Sequence, residues 1–354
     1  MNTAICIDTL LLRDDSTFLL ELVLNIYPNA EIYTIAHKQG GILGQIETRP
    51  IVSSYLTHKA GKPEVLRKHY WILPSAVKGI PIHPTINKVI VLSRGYIHGL
   101  NLPSHVEREL YILEWDLIDE SKTGWQKLFS AYVNDWREKA LMQYPRIAVS
   151  SEALKKRLEL PNAEVIAPTY RTEEYPFVKD EDHNFSFEHH LVYTHGLAEK
   201  NFRAVVKTLL AHNETVRVMG PFEHLLKVKD EFPAIDFAGD HCEATSALYS
   251  HQAKAIWDFS EGFFPSRGFG ALATGRPVVV ADTSVNREYL KEGAYFLSAF
   301  DENSIEALYK NVNDTYLSFD RKVLRRLGLK WNERLFKSRM VKFLGRNRDL
   351  HQPE

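Results

Sequence analysis

Residues 260–282 read SEGFFPSRGFGALATGRPVVVAD, and their order suits an anion. A β-branched and aromatic run at 255–259 leads into Ser260-Glu261-Gly262, and a helix is expected to begin near Ser266 or Arg267. The first amides of a helix have no partner within it and its dipole favours negative charge, so a phosphate fits there. Gly262 and Gly268 let the backbone approach closely, Ser266 brings a hydroxyl, and Arg267 adds a charged fork. The plain alternative is a Pro-Ser cap on an ordinary core helix. Glu261 is the single acid between Ser260 and Val280. No GxGxxG follows the first strand and no GxxxxGK[ST] occurs, so neither a dinucleotide fingerprint nor a P-loop is indicated.

Other chemistry-bearing residues lie at strand ends. Asp8 closes the opening run TAICID. Arg94-Gly95-Tyr96-Ile97-His98-Gly99 follows KVIVLS, and His98 is the first-half candidate for acid–base work, against the commoner surface-loop histidine. Further on, Glu114-Trp115-Asp116 follows ELYIL, and His195-Gly196 with Lys200 follows LVYT. Cys6 and Cys242 lie far apart in or beside apolar stretches, with no metal-ligand or catalytic spacing.

The elements that must carry these residues alternate. Strand-like runs at 3–8, 30–35, 88–92, 109–113 and 146–150 are separated by helical spacing at 17–26, 64–72 and 125–142. After the stretch APTYRTEEYPFVKDEDHNF (167–185), strands are expected at 191–194, 216–219, 235–238, 255–259 and 277–281. Helices fall between them at 200–211, 223–231 and 244–251. Such alternation predicts two α/β halves with parallel sheets, whose ligands bind beyond the carboxyl ends of the strands. The boundaries read as 1–168, a linker 169–186, 187–320 and a basic tail 321–354. At 354 residues, 44% hydrophobic and 25% charged, the chain is of ordinary globular composition, and no apolar run approaches the ~18 residues of a membrane span. The net charge of −1 hides a tail in which Arg321–Arg348 carries eleven Lys/Arg and the single acid Glu333. That amphipathic stretch suits a helix with a solvated basic face, an anionic membrane surface, or, less well, nucleic acid.

Taken in order, YTHGLAEKNFRAVVKTLL (193–210), VRVMGP (216–221), IDFAGD (235–240), AKAIWDFSEGFFPSRGFGALATGRPVVVAD (253–282) and NREYLKEGAYF (286–296) resemble the donor domain of family 4 glycosyltransferases. In the first half PNAEIYTI, SSYLTH, HYWILP, VIVLSRGYIHGL, EWD and VSSEALKKRLELPNAEVIAPTY resemble bacterial polysaccharide mannosyltransferase-like members. The resemblance implies an α/β GT-B fold: two Rossmann-like domains facing across a cleft, and a C-terminal helix that crosses back to the first. It implies a retaining transferase that moves a sugar from a nucleotide-sugar to a glycan or lipid-linked glycan, in the cytoplasm or at the inner face of a membrane. No metal or other cofactor is implied, since the family needs no DxD motif. On the donor side Lys200 falls where the family contacts the diphosphate, and His195, beside Gly196, replaces the usual Arg. Glu261 lies near the transferred sugar in the Glu-Gly-Phe start shared with Gly262, and Glu288 matches the acid of the later loop. Asp8 and Arg94 fall on the acceptor side. The second acid of the family pair, which usually holds the ribose, lands on Gly270 when counted back from Gly275, and no register keeps both acids. A catalytically silent GT-B module that binds a glycan, nucleotide or protein therefore stands beside the enzyme reading, as does a transferase acting on nucleic acid bases.

Overall fold

The computed structural model describes residues 2–42, 44–59, 63–115, 124–175, 188–221, 223–239, 243–260 and 262–345. They divide into two compact units, one of residues 1–168 and 334–354, the other of residues 169–333. Each is built on a parallel sheet.

The first unit holds β1 (Thr3–Leu10), β2 (Glu31–His37), β3 (Ile51–Ser53), β4 (Lys88–Ser93), β5 (Glu107–Ile112), β6 (Ile147–Val149) and β7 (Glu164–Val165). Their order is β3-β2-β1-β4-β5-β6-β7, all parallel. A strand covered on both faces must be apolar at successive positions, and β4, KVIVLS, is buried from end to end. Its one cationic member, Lys88, is held by Glu107 at 2.9 Å and Glu109 at 3.4 Å, and donates to the Leu344 carbonyl at 3.1 Å. This last bond fastens the end of the Glu333–Phe343 helix, whose Phe336, Met340 and Phe343 are buried, to the first unit.

The second unit holds β8 (His189–Tyr193), β9 (Val216–Met219), β10 (Asp236–Gly239), β11 (Ala253–Trp257), β12 (Val278–Ala281) and β13 (Ala294–Leu297), in the order β10-β9-β8-β11-β12-β13 and again parallel. Trp257 is wholly buried, with its indole N–H donating to His190 Nδ1 at 3.0 Å. Strand order reverses between β1 and β4 in one unit and between β8 and β11 in the other. Such switch points open a crevice beyond the carboxyl ends of the two central strands.

Three sequence expectations change. The helix expected over 64–72 stops at Lys68 and continues as a tight turn, Tyr70–Ile72, before a further helix, Leu73–Lys78. The tail is two helices, Arg321–Leu329 and Glu333–Phe343, parted where the Asn332 amide donates to the Leu329 carbonyl. The stretch 169–175 does not stand apart as linker: Tyr170 and Tyr175 are buried in the second unit.

Candidate functional site

At the second unit's switch point β8 runs into Thr194-His195-Gly196. The Thr194 hydroxyl donates to the Pro221 carbonyl at 2.8 Å, tying the turn to the end of β9. Gly196 has φ +68, a left-handed conformation that a side chain would strain. Opposite it, a Cβ on Gly220 would lie 2.6 Å from His195 Nδ1, so the imidazole rests where only glycine leaves room. Burial, with the Arg267 charge added, pushes the His195 pKa down to about 3, which leaves the ring neutral near pH 7. The Arg267 guanidinium comes from the other side of the switch point, 5.6 Å from the centre of the Tyr193 ring. The cation expected beside the β8 turn is thus supplied from beyond β11, and residue 195 is a neutral neighbour.

Two helices begin here. Glu199–Ala211 follows Ala198 and Ser266–Ala273 follows Pro265, and neither preceding residue gives a side-chain cap to the first turn. The Ser266 N–H is taken by the Phe264 carbonyl at 2.9 Å, but the first-turn amides that follow it and those of the Glu199 helix, together with exposed Lys200, half-buried Ser266 and Arg267, and exposed Gly262, form a positive rim suited to a diphosphate. Glu288 is half-buried on the Ser284–Leu290 helix, where Tyr289 meets the Phe264 ring edge-on at 5.3 Å. Glu261 lies outside the described residues, as do Asp116 and Cys242.

The rest of the 266–273 helix is core. Gly268 faces Leu290, Phe269 stacks on Tyr170 at 5.9 Å, and a Cβ on Gly270 would sit 2.4 Å from two atoms of the Tyr175 ring. The side-chain space at Gly270 is therefore filled by an aromatic residue from 170–175. Arg276 is buried, and its fork donates to the His251 carbonyl.

The first unit's switch point gathers Asp8 and Arg94. The Asp8 carboxylate accepts from the backbone N–H of Arg94, from Tyr96 at 3.1 Å and from Ile97 at 3.0 Å. It organises the 94–97 loop. Arg94 pairs with Glu114 at 2.7 Å and with Asp14 at 3.6 Å. Gly95, at φ +114, passes over the Arg137 guanidinium, which a Cβ there would strike at 2.6 Å. The expectation that His98 serves as an open acid–base group is corrected. The ring is wholly buried, Nε2 donates to the Arg137 carbonyl at 3.0 Å, and Nδ1 accepts from the Ser93 hydroxyl at 3.0 Å. The hydroxyl in turn accepts from Gly95 N–H at 2.9 Å, which fixes this tautomer. Burial, with the nearby Arg137 charge, pushes the His98 pKa down to about 4. Asp8→Asn is expected to cost about 2–3 kcal/mol, because an amide turns an N–H toward backbone donors that a carboxylate accepts. Urea unfolding checks it, and an unchanged midpoint would refute the loop-organising role.

Comparison with family models and with curated protein sequences gives no match. Solved structures do match. Sucrose-phosphate synthase from Thermosynechococcus elongatus aligns with a TM-score of 0.73 at 11% identity, over 98% of this chain and 99% of that one. HepE from Anabaena in complex with UDP aligns at 0.69 and 10% identity, over 98% and 100%. A glycosyltransferase from Rickettsia africae aligns at 0.63 and 11%, over 99% of each chain. The fold is GT-B.

A GT-B chain built this way carries residues that sequence reading passed over. Asp258, at the end of β11, is buried, accepts from Ser260 N–H at 3.0 Å and lies close enough to act electrostatically on the Tyr193 hydroxyl. Its only sequence signal is an acid inside the apolar run AIWDF. The tail also changes meaning. Arg325 donates to the Ala273 carbonyl at 2.9 Å and Arg321 to that of Thr274 at 3.5 Å, so both address the carboxyl end of the 266–273 helix, where the dipole favours cations. Leu324, Phe336, Met340 and Phe343 are buried as well. Among the described residues no helix is long and apolar enough to cross a membrane, and no group of three His, Cys, Asp or Glu is placed to hold a metal.

Proposed function

We propose that the protein is a glycosyltransferase that takes a sugar from a nucleotide-sugar and passes it, with retention and without a metal, to a glycan or lipid-linked glycan. One observation carries the reading: Arg267, at the start of an uncapped helix, lies over Tyr193 beside His195 where β8 and β11 diverge. Two helix N-termini, Lys200 and Arg267 would hold the donor diphosphate and take up the charge that develops as the sugar leaves. Glu288, and Glu261 in the adjoining turn, would address the sugar. The HepE structures, solved with UDP, with UDP and glucose, and with UDP-glucose, support a donor of this class.

Calorimetric titration with UDP, GDP and their sugars tests it. One nucleotide-sugar is expected to bind, and Lys200→Ala or Arg267→Ala to weaken binding tenfold or more, the loss of one charge-assisted bond at about 1.5–3 kcal/mol. Chelation with EDTA is expected to leave the isotherm unchanged. No heat from a folded sample would sink the proposal. A binding module without turnover is the second reading, favoured by the Tyr175 ring standing against Gly270. It requires donor binding with no sugar transferred or hydrolysed.

A further inference from the structure

One part of the first unit shows solvent what proteins usually bury. The Trp125–Leu141 helix buries Ser130, Val133, Trp136 and Arg137, yet its opening turns expose Trp125 (78%), Leu128 (64%), Phe129 (44%) and Tyr132 (52%). These positions are spaced i, i+3, i+4 and i+7 and so form one stripe. The Tyr70–Ile72 turn extends it. Tyr70 is pinned to the helix by its hydroxyl, which donates to the Gln126 carbonyl at 3.0 Å. That places Trp71 (40% exposed) with its ring 6.4 Å from Phe129, and His69 5.2 Å from Trp71. Isolated exposed apolar residues need no explanation, but five large ones forming a single face mark a contact surface.

The chemistry of the face chooses the partner. Trp and Tyr carry a polar tip on an apolar body and suit the headgroup level of a bilayer, with Leu and Phe below them. Three cations lie on the same or adjoining segments, Lys59, Lys68 and Lys127. All three are exposed. We propose that Trp71, Trp125, Leu128, Phe129 and Tyr132 form a docking face for an anionic lipid bilayer, with the neighbouring lysines meeting its headgroups.

Flotation of the full chain with vesicles tests this. Binding is expected to phosphatidylcholine vesicles containing phosphatidylglycerol, and to fall at least about tenfold with phosphatidylcholine alone. Trp125→Ser with Leu128→Ser, both at exposed positions, is expected to lower binding by a similar factor while leaving the melting temperature unchanged. Should that variant melt early, the intact chain still reports: brominated lipid is expected to quench tryptophan emission, and less so in Trp125→Phe. Three results would overturn the proposal. They are no flotation with the anionic vesicles, equal flotation of the double variant, and a concentration-dependent dimer that the double variant abolishes, which would assign the face to a second copy of the chain.

Discussion

Gly270→Glu is expected to destabilise the protein by at least about 3 kcal/mol and to leave donor binding no stronger. Restoring an acid at this position looks like a repair only while the space is taken to be empty. A Cβ alone would lie 2.4 Å from Cε1 and Cζ of Tyr175, and Gly270 itself is buried. Overpacking of this kind costs about 1–3 kcal/mol, and a carboxylate brought into an aromatic cluster adds a desolvation penalty. The Tyr175 ring cannot move aside cheaply, since it stands edge-on to Tyr170, whose ring stacks on Phe269 and whose hydroxyl donates to the Gly328 carbonyl. Thermal melting is expected to show a drop of roughly 10 °C, at about 2–4 °C per kcal/mol for a domain of this size. Combining Gly270→Glu with Tyr175→Gly should return part of it. A single variant that melts like the parent would show that the aromatic cluster yields, and the explanation for the missing acid would fail.

Acidification is expected to destabilise the fold steeply between pH 6.5 and 4. Burial is the largest cause that pushes His98, His189 and His190 down to about 4. A histidine held neutral in the fold takes up its proton on unfolding. Below its ordinary pKa of 6.5 the unfolded chain therefore binds more protons than the native one, and stability falls with pH until the folded value is reached. Near pH 5 each such group contributes about 1.4 kcal/mol per pH unit, wholly buried His98 to the first unit and His190 to the second. Glu214, held below its usual range against burial by bonds from Lys254 and Tyr309 and by the Lys254 charge, steepens the loss further down. Urea unfolding at pH 7, 6 and 5, followed separately for the two units, measures the slope. A flat profile would mean that the imidazoles are protonated where they lie.

The central strands were readable because a strand buried on both faces has no room for polar residues, and VIVL and LVYT show it directly. The edges were not. β3 is IVS, β7 is EV and β13 is AYFL, too short for periodicity to separate from loop. His98 illustrates a different limit. Glycines on both sides gave it the look of a surface loop, but the group that closes over it, Arg137, arrives from 39 residues away on another helix. The donor turn was half legible. Counting back from Gly275 drew attention to Gly270, whereas Tyr175, whose ring stands against it, came from residues that composition marked as linker. The tail's basic character was plain, but which arginines cap a helix was set by packing that sequence spacing does not encode.

The Thr169 hydroxyl donates to the Trp331 carbonyl at 2.6 Å, joining the second unit almost at its first and last residues. The first unit, by contrast, is assembled from residues 1–168 and 334–354. In topological terms residues 169–333 are a cassette inserted into a host domain, with its two ends pinned together at the junction. Expressed alone, residues 169–333 are expected to fold, and a short linker from 168 to 334 is expected to leave the host domain folded; circular dichroism and melting of the two pieces check it.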